Sequence, residues 1–170
     1  MERLGHDHSG YLDQEHYELA LSLAPMLCID LLVVHGSTGE AALIVRDDSQ
    51  GDQRYALVGG GVFRGETLNE AATRHLRETL GEGISWSGSF DRVPDALLQY
   101  FPYEREGYGI DARKHSVGLT YLVEIEGETA VGGEANQIVW FQLDALPRRS
   151  QFGFRQWLVV EDLLGLTLAD

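Results

Sequence analysis

The sequence alternates between apolar runs that are typical of β-strands and amphipathic stretches that are typical of helices. The first two apolar runs, residues 26–35 and 40–46, are rich in Val, Ile and Leu, and a Gly-Ser-Thr-Gly turn joins them. This arrangement predicts a β-hairpin in a central sheet. Five further strands are predicted at residues 55–58, 84–90, 96–101, 117–125 and 138–141.

Three amphipathic stretches predict helices, at residues 12–23, 68–80 and 154–164. Ser9 can cap the first helix, and Pro25 stops it. The central helix has the best-defined ends, because Thr67 or Glu66 can cap its start and Gly81 stops it.

No repeat, low-complexity tract or linker divides the 170 residues, so a single domain is the simplest expectation. Because strands lie before and after the central helix, we expect an α+β fold in which helices flank a mixed sheet. Residues 26–170 would form this domain, and residues 1–25 would form an N-terminal extension with its own helix.

The charge of the chain limits its partners. The 13 Lys and Arg residues against 27 Asp and Glu residues give a net charge of −14. Nucleic acids and anionic membranes repel such a chain, so we expect neither as a partner. The sequence has no signal-peptide pattern and no apolar run near the roughly 18 residues that span a bilayer. The single cysteine, Cys28, excludes an internal disulfide, and its apolar neighbours predict a buried thiol. We therefore expect a cytoplasmic protein.

The stretch LVGGGVFRGETLNEAATRHLRETLG, residues 57–81, combines a strand end, consecutive glycines and a polar helix face. Consecutive glycines let the backbone approach a ligand closely. Glu66 stands just before the helix, where its carboxylate can cap amide groups and also face a site. Spacings of three and four residues place a polar set on one side of the helix: Arg74, His75, Glu78 and Thr79.

The register of this stretch resembles the signature of the Nudix hydrolases, which is called the Nudix box and is referred to below as the box. That signature is a glycine, five residues, a glutamate, seven residues, and then Arg-Glu-aliphatic-any-Glu-Glu-any-Gly-aliphatic. Further along, GEANQIVWFQLDALP resembles the strand and turn that close many Nudix domains, with Glu134 ahead of the strand and Trp140 within it. The resemblance covers residues 26–147 and implies a Nudix-type α/β/α sandwich with added N- and C-terminal helices. The residues that match the signature are Gly60, Glu66, Arg74, Leu76, Glu78 and Gly81.

The departures from the signature concern the metal site that the resemblance implies. In the family, box carboxylates and a glycine carbonyl hold magnesium, which bridges the diphosphate of a nucleoside diphosphate linked to another group. Here His75 and Thr79 replace two of the three helix glutamates, and Glu82 replaces an aliphatic residue. Fewer carboxylates imply weaker or more substrate-dependent metal binding, and a histidine ligand shifts the preference from Mg²⁺ toward Mn²⁺, Zn²⁺ or similar ions.

One hypothesis is a working hydrolase with an altered metal site. Mg²⁺ or Mn²⁺ would be held by the Gly60 carbonyl, Glu78 and Glu134, with Glu66 as a further candidate. The bond broken would lie in a diphosphate, or at a sugar carbon as in the GDP-mannose glycosyl hydrolases of the same superfamily. The substrate would be a nucleotide sugar, ADP-ribose or a similar nucleotide derivative.

The catalytic candidates on this hypothesis are His75 or His115 as general base, since imidazole titrates near neutral pH. Arg74 would hold a box glutamate in place, and its spacing of four residues favours Glu78. The alternative hypothesis is a Nudix-fold domain that binds a nucleotide with little or no hydrolysis, as a sensor or an interaction module.

A loop at residues 99–125 is the candidate for substrate selection. It holds the only lysine of the chain, Lys114, next to Arg113 and His115. Arg113 offers phosphate the bidentate geometry that lysine lacks, although a charged surface turn is an equally open interpretation. Tyr108, between two glycines, is a candidate for stacking on a base, whereas Tyr100 is expected in the core or in a homodimer interface.

Two arginines, Arg54 and Arg64, flank the glycine loop of the box and are further candidates for contacting phosphate. Arg64 also fits an exposed turn. The three tryptophans are expected in the core, because they fall at strand or helix positions: Trp86, Trp140 and Trp157.

Overall fold

The computed structural model describes residues 13–48 and 51–170, which form three α-helices and nine β-strands. The helices are α1 (Gln14–Leu23), α2 (Leu68–Leu80) and α3 (Trp157–Leu164). The strands are β1 (Met26–His35), β2 (Ala41–Asp47), β3 (Gln53–Ala56), β4 (Val58–Gly61), β5 (Ile84–Trp86), β6 (Ala96–Phe101), β7 (Gly109–Ile110), β8 (Ser116–Gly127) and β9 (Gln137–Phe141).

The nine strands form one mixed sheet around β1. Along its whole length β1 pairs in parallel with β8. On its other edge it pairs antiparallel with β4 through residues 28–31 and with β2 through Val33 and Val34. The order β3-β2-β1-β8-β6-β7 runs across the sheet, while β9 adds to β2 and β5 to β8. The predicted hairpin of β1 and β2 and the predicted mixed sheet are both confirmed.

Helices cover the two faces of the sheet. Alternate residues of β1 face opposite sides, so that Leu31 packs in the cluster that contains α2, and Leu32 packs in the cluster that contains α3. Leu76 of α2 and Val160 of α3 are fully buried on these two sides. The α+β sandwich expected from the sequence is therefore present. The tryptophans pack against the two clusters but are only partly buried, so their predicted core positions are right only in part.

Helix α2 has the bounds that the sequence predicts, because its caps are local. The Thr67 hydroxyl accepts from the backbone of Glu70, whose carboxylate accepts in turn from the backbone of Thr67. Gly81 ends the helix at a φ of 88°, which other residues rarely adopt. This capping fixes where the polar face of the helix lies.

Several predicted bounds are wrong. The predicted strand at residues 55–58 is two strands, because the glycines of β4 pair with β1 instead of forming a loop. The strand predicted at 84–90 ends at Trp86, and β7 is too short for a sequence pattern. Helix α3 begins at Trp157, after two short 3-10 turns, with Phe154 and Arg155 at φ angles of 57° and 59°.

The first helix begins at Gln14, and the Asp13 side chain caps it. The predicted cap, Ser9, lies outside the described residues. None of the helices in the described ranges is long and apolar enough to cross a membrane.

Candidate functional site

The glycines of β4 permit two close approaches. A Cβ atom at Gly59 would stand 2.0 Å from the Ile29 carbonyl oxygen, and one at Gly60 would stand 2.7 Å from Cε1 of His75. A side chain would therefore displace the β1 backbone at Gly59 or the His75 ring at Gly60. Strand β4, whose three glycines have no side chains, lies between α2 and a cleft on the sheet.

On the helix side, Glu66 and Arg74 form a bidentate ion pair. The Arg74 Nε and Nη2 atoms donate to the two oxygens of Glu66 at 2.7 and 2.8 Å. Glu66 also accepts from the Phe63 backbone at 2.7 Å, and the hydrogen bonds from Arg74 are the first cause that lowers the pKa of Glu66. Glu78 lies 3.6 Å from Arg74. The expectation that Arg74 mainly holds Glu78 is thus corrected, because the loop before α2 brings Glu66 closer.

His75 is bound to the same strand. Its Nε2 atom lies 3.1 Å from the Gly61 carbonyl oxygen, which also accepts from Arg74. Because a carbonyl only accepts, Nε2 must donate. Burial is the main cause that lowers the pKa of His75, and the charge of Arg74 adds to it. The ring is therefore neutral near pH 7, and it occupies the space that a side chain at Gly60 would need.

The three carboxylates among the predicted metal ligands do not form a metal-binding group within the described residues. The Glu134 carboxylate pairs with Arg46 at 2.5 Å, while Glu66 is occupied by Arg74. Thr79 is buried and offers no carboxylate, which leaves the 45% exposed side chain of Glu78. Within residues 13–48 and 51–170 no three His, Cys, Asp or Glu side chains are grouped to hold a metal. This donor set does not fit a magnesium site built by the protein.

The other side of β4 opens into a cleft, which we call the basic cleft. Gly59 and Gly60 line it, together with three cationic side chains: Arg46, Arg113 and Lys114. Arg46 comes from β2, and the other two come from the turn between β7 and β8. The predicted phosphate contacts Arg113 and Lys114 thus lie beside the box glycines.

A buried polar network forms part of the lining of this cleft. The Tyr100 hydroxyl donates to Asp30 at 2.7 Å, and the Gln156 amide donates to Asp30 at 3.3 Å. Gln156 also accepts from the Leu57 backbone at 2.9 Å, which ties the start of α3 to the sheet. Burial raises the pKa of Asp30 to about 6, because the desolvated carboxylate is disfavoured. This network places a titrating group next to the cations.

The three cations differ in how they are paired. Arg113 makes a bidentate contact to Asp111, with both hydrogen bonds at 2.8 Å. Burial by itself raises the pKa of Asp111, but the hydrogen bonds from Arg113 help to lower it below its ordinary value. Arg46 pairs with Glu134, and burial lowers the pKa of its guanidinium. Lys114 instead reaches the Cys28 sulfur at 3.7 Å.

The remaining predicted residues lie elsewhere among the described residues. His115 stacks on Phe101 with ring centroids 4.7 Å apart, and its Nε2 lies 2.7 Å from the Gln99 amide nitrogen. Tyr108 packs edge-on against Phe101, and Arg105 lies over its ring. None of these side chains is among the residues that line the basic cleft.

The two flanking arginines also lie apart from the cleft lining. Arg54 forms ion pairs with Asp48 and Asp52 at 3.5 and 3.1 Å. Arg64 is exposed between β4 and α2.

Sequence reasoning missed two cleft residues, Asp30 and Arg46. The signal for Asp30 was its position inside an apolar strand, because a carboxylate is rarely buried without a partner or a role. Arg46 lies one residue before the end of β2, and only the pairing of β2 with its neighbours brings it to the cleft.

The comparisons with known proteins agree with this fold. A family model described as a domain of unknown function, DUF4916, matches residues 7–154. An ADP-ribose pyrophosphatase of Methanocaldococcus jannaschii is 28% identical over 129 residues, which are 75% of this chain and 68% of that protein.

Two solved structures resemble the chain. A possible asymmetric diadenosine tetraphosphate hydrolase of Jonesia denitrificans is 25% identical with a TM-score of 0.74, covering 84% of this chain and 94% of its own. A MutT Nudix hydrolase of Burkholderia pseudomallei is 24% identical with a TM-score of 0.61, covering 81% and 97%. The box register, the sandwich and these matches together show that the chain belongs to the DUF4916 family and to the Nudix superfamily.

Proposed function

We propose that the protein is a hydrolase of a nucleoside diphosphate derivative, with ADP-ribose as the first candidate substrate. The observation that carries the proposal is the meeting of three cationic side chains with the bare glycine strand of the box in one cleft. Guanidinium and ammonium groups bind phosphate oxygens, and glycines let a diphosphate lie against the backbone. The ADP-ribose pyrophosphatase of M. jannaschii supports this choice of first candidate.

The side chains of the cleft would bind and orient the substrate. Arg113 and Lys114 would contact the diphosphate oxygens from the β7–β8 turn, and Arg46 would contact them from β2. Water then attacks one phosphorus atom, the bridging P–O bond breaks, and AMP and ribose 5-phosphate leave when the substrate is ADP-ribose. We assign the orientation of this water to Glu78, the exposed carboxylate left on the polar face of the box helix, which requires the attacked phosphorus to lie at the edge of β4 nearest α2.

The cofactor is the point at which the chain departs from its relatives. Nudix hydrolases generally need a divalent metal ion. The predicted ion was Mg²⁺ or Mn²⁺, but Glu78 is the only helix carboxylate that the altered box retains. These residues therefore do not support a catalytic step through a metal, and the assay includes both ions and a chelator.

A second candidate is a domain that binds the same nucleotide without hydrolysing it. The observation that favours it is the commitment of Glu66 and His75 to bonds within the box, which leaves few groups to activate water. In this case the nucleotide would act as a signal that the domain detects.

A turnover panel separates the two candidates. The protein is incubated with ADP-ribose, NADH, nucleotide sugars and diadenosine tetraphosphate, in Mg²⁺, in Mn²⁺ and in EDTA. The hydrolase proposal expects release of a nucleoside monophosphate, and it expects Glu78→Gln to lower kcat by about tenfold or more with KM unchanged. The matched control is Arg77→Gln on the same helix, whose side chain pairs with Glu82 and should leave kcat unchanged.

Three outcomes are distinguishable. Turnover with a kcat that Glu78→Gln lowers by about tenfold or more supports the hydrolase. A thermal shift with one nucleotide but no turnover contradicts the hydrolase and supports the binding domain. No turnover and no shift with any compound contradicts both candidates and favours an interaction module.

A further inference from the structure

The lining of the basic cleft has more cationic than anionic side chains, although the protein as a whole is strongly acidic. Three cations and two carboxylates, Asp30 and Asp111, line the cleft, while the whole chain has a net charge of −14. Only 13 of the 170 residues are Lys or Arg, and three of them line this one cleft. The cleft therefore attracts an anion that the rest of the protein surface repels.

Lys114 is the cation that is most available to a ligand. No carboxylate oxygen lies within 4.0 Å of its ammonium group among the residues that the structure describes. Within residues 13–48 and 51–170, the one hydrogen-bond contact of the ammonium is the 3.7 Å approach to the Cys28 sulfur, and Cys28 is only 5% exposed. The lysine side chain is therefore directed into the cleft rather than into solvent. Fixing it there costs side-chain entropy, and a contact with a neutral thiol offsets this cost poorly.

The box on the other side of β4 has few groups to offer a cation. Glu66 is bonded to Arg74 and to the Phe63 backbone, and Glu134 is bonded to Arg46. A diphosphate diester carries two negative charges that must be balanced when it leaves water. In this chain, the charges that can balance them are on side chains of the cleft.

We propose that Lys114, Arg46 and Arg113 take over the role of a divalent cation in binding the diphosphate, so that the nucleotide binds without metal. This inference rests on the proposed function, which assigns the cleft to a nucleoside diphosphate derivative. Lys114 is the principal contributor, because Arg46 and Arg113 are already paired with carboxylates.

Isothermal titration with ADP-ribose tests the inference, using the full chain in EDTA and in Mg²⁺. The Kd in EDTA should lie within about threefold of the Kd in Mg²⁺. Lys114→Met should raise the Kd by about tenfold or more in both buffers, and Lys114→Arg should restore it to within about threefold. Arg77→Gln removes one positive charge on α2 and should leave the Kd unchanged. Circular dichroism and thermal melting confirm that each variant is folded.

The outcomes distinguish this inference from the proposed function. Binding that requires Mg²⁺ overturns the inference and leaves the proposed function standing. Metal-free binding that Lys114→Met does not weaken overturns the role of Lys114. No ADP-ribose binding in either buffer overturns both the inference and ADP-ribose as the ligand of the cleft.

Discussion

The box helix α2 and the basic cleft both border strand β4, but their charged residues have different partners. At the helix, the carboxylate of Glu66 and the ring of His75 are bonded to Arg74 and to the Gly61 carbonyl. In the cleft, the one hydrogen-bond contact of the Lys114 ammonium within the described residues is to the Cys28 thiol. On the proposed function, the Nudix box of this chain mainly holds its glycine strand in place, and ligand binding depends on the cleft.

The largest effect is expected at the strand that both regions share. Gly59→Ala would place a Cβ atom 2.0 Å from the Ile29 carbonyl oxygen, a backbone atom that cannot rotate away. We expect the free energy of unfolding to fall by about 3 kcal/mol or more. Gly61→Ala is the matched control, because nothing lies within 4 Å of its Cβ position. Urea denaturation measures both, and equal losses would contradict the close approach.

The next effect tests whether the box is structural. Glu66→Gln breaks the bidentate pair with Arg74, in which both side chains are less than one-fifth exposed, at 18% and 17%. We expect the unfolding free energy to fall by about 2–4 kcal/mol, since the guanidinium loses its carboxylate while it stays largely buried. Glu78→Gln removes only the 3.6 Å contact of an exposed side chain and should cost less than about 1 kcal/mol. Similar losses for the two variants would show that the pairs are equivalent.

A smaller effect, of opposite sign, is expected in the cleft. Folding raises the pKa of Asp30 to about 6 from an ordinary value of 3.8, so ionised Asp30 destabilises the fold above that pH. The full cost is present above about pH 6 and vanishes below about pH 4. Asp30→Asn should therefore raise the unfolding free energy by about 1–2 kcal/mol at pH 8, with no gain at pH 4.

Asp95→Asn is the control for this titration, because hydrogen bonds from Arg92 lower the pKa of Asp95. Its substitution should destabilise the protein at pH 8, the reverse of Asp30→Asn. Asp30→Asn that destabilises the protein at pH 8 would contradict the buried, costly carboxylate.

Local patterns in the sequence predicted the framework of the box. The bounds of α2 follow from Thr67 and Gly81, which lie next to the helix they cap. Its polar face and its match to the signature follow from spacing alone. The main partner of Arg74 does not follow from spacing, because two glutamates are within reach and the geometry of the loop selects Glu66.

The cleft could not be predicted because its residues come together only through the sheet. Tyr100 and Gln156 reach Asp30 across 70 and 126 positions of the chain. Such contacts depend on strand order and register, which no local pattern encodes. The turn that carries Arg113 and Lys114 was visible in the sequence, but its position beside β4 was not.

A crystal structure of the protein soaked with ADP-ribose and Mn²⁺ tests the central claim most directly. The claim predicts diphosphate oxygens within about 3.5 Å of the Lys114 ammonium and the Arg113 guanidinium. It also predicts no anomalous manganese peak between Glu78 and the diphosphate. A manganese ion bridging Glu78 and the diphosphate, with Lys114 out of contact, would contradict the claim.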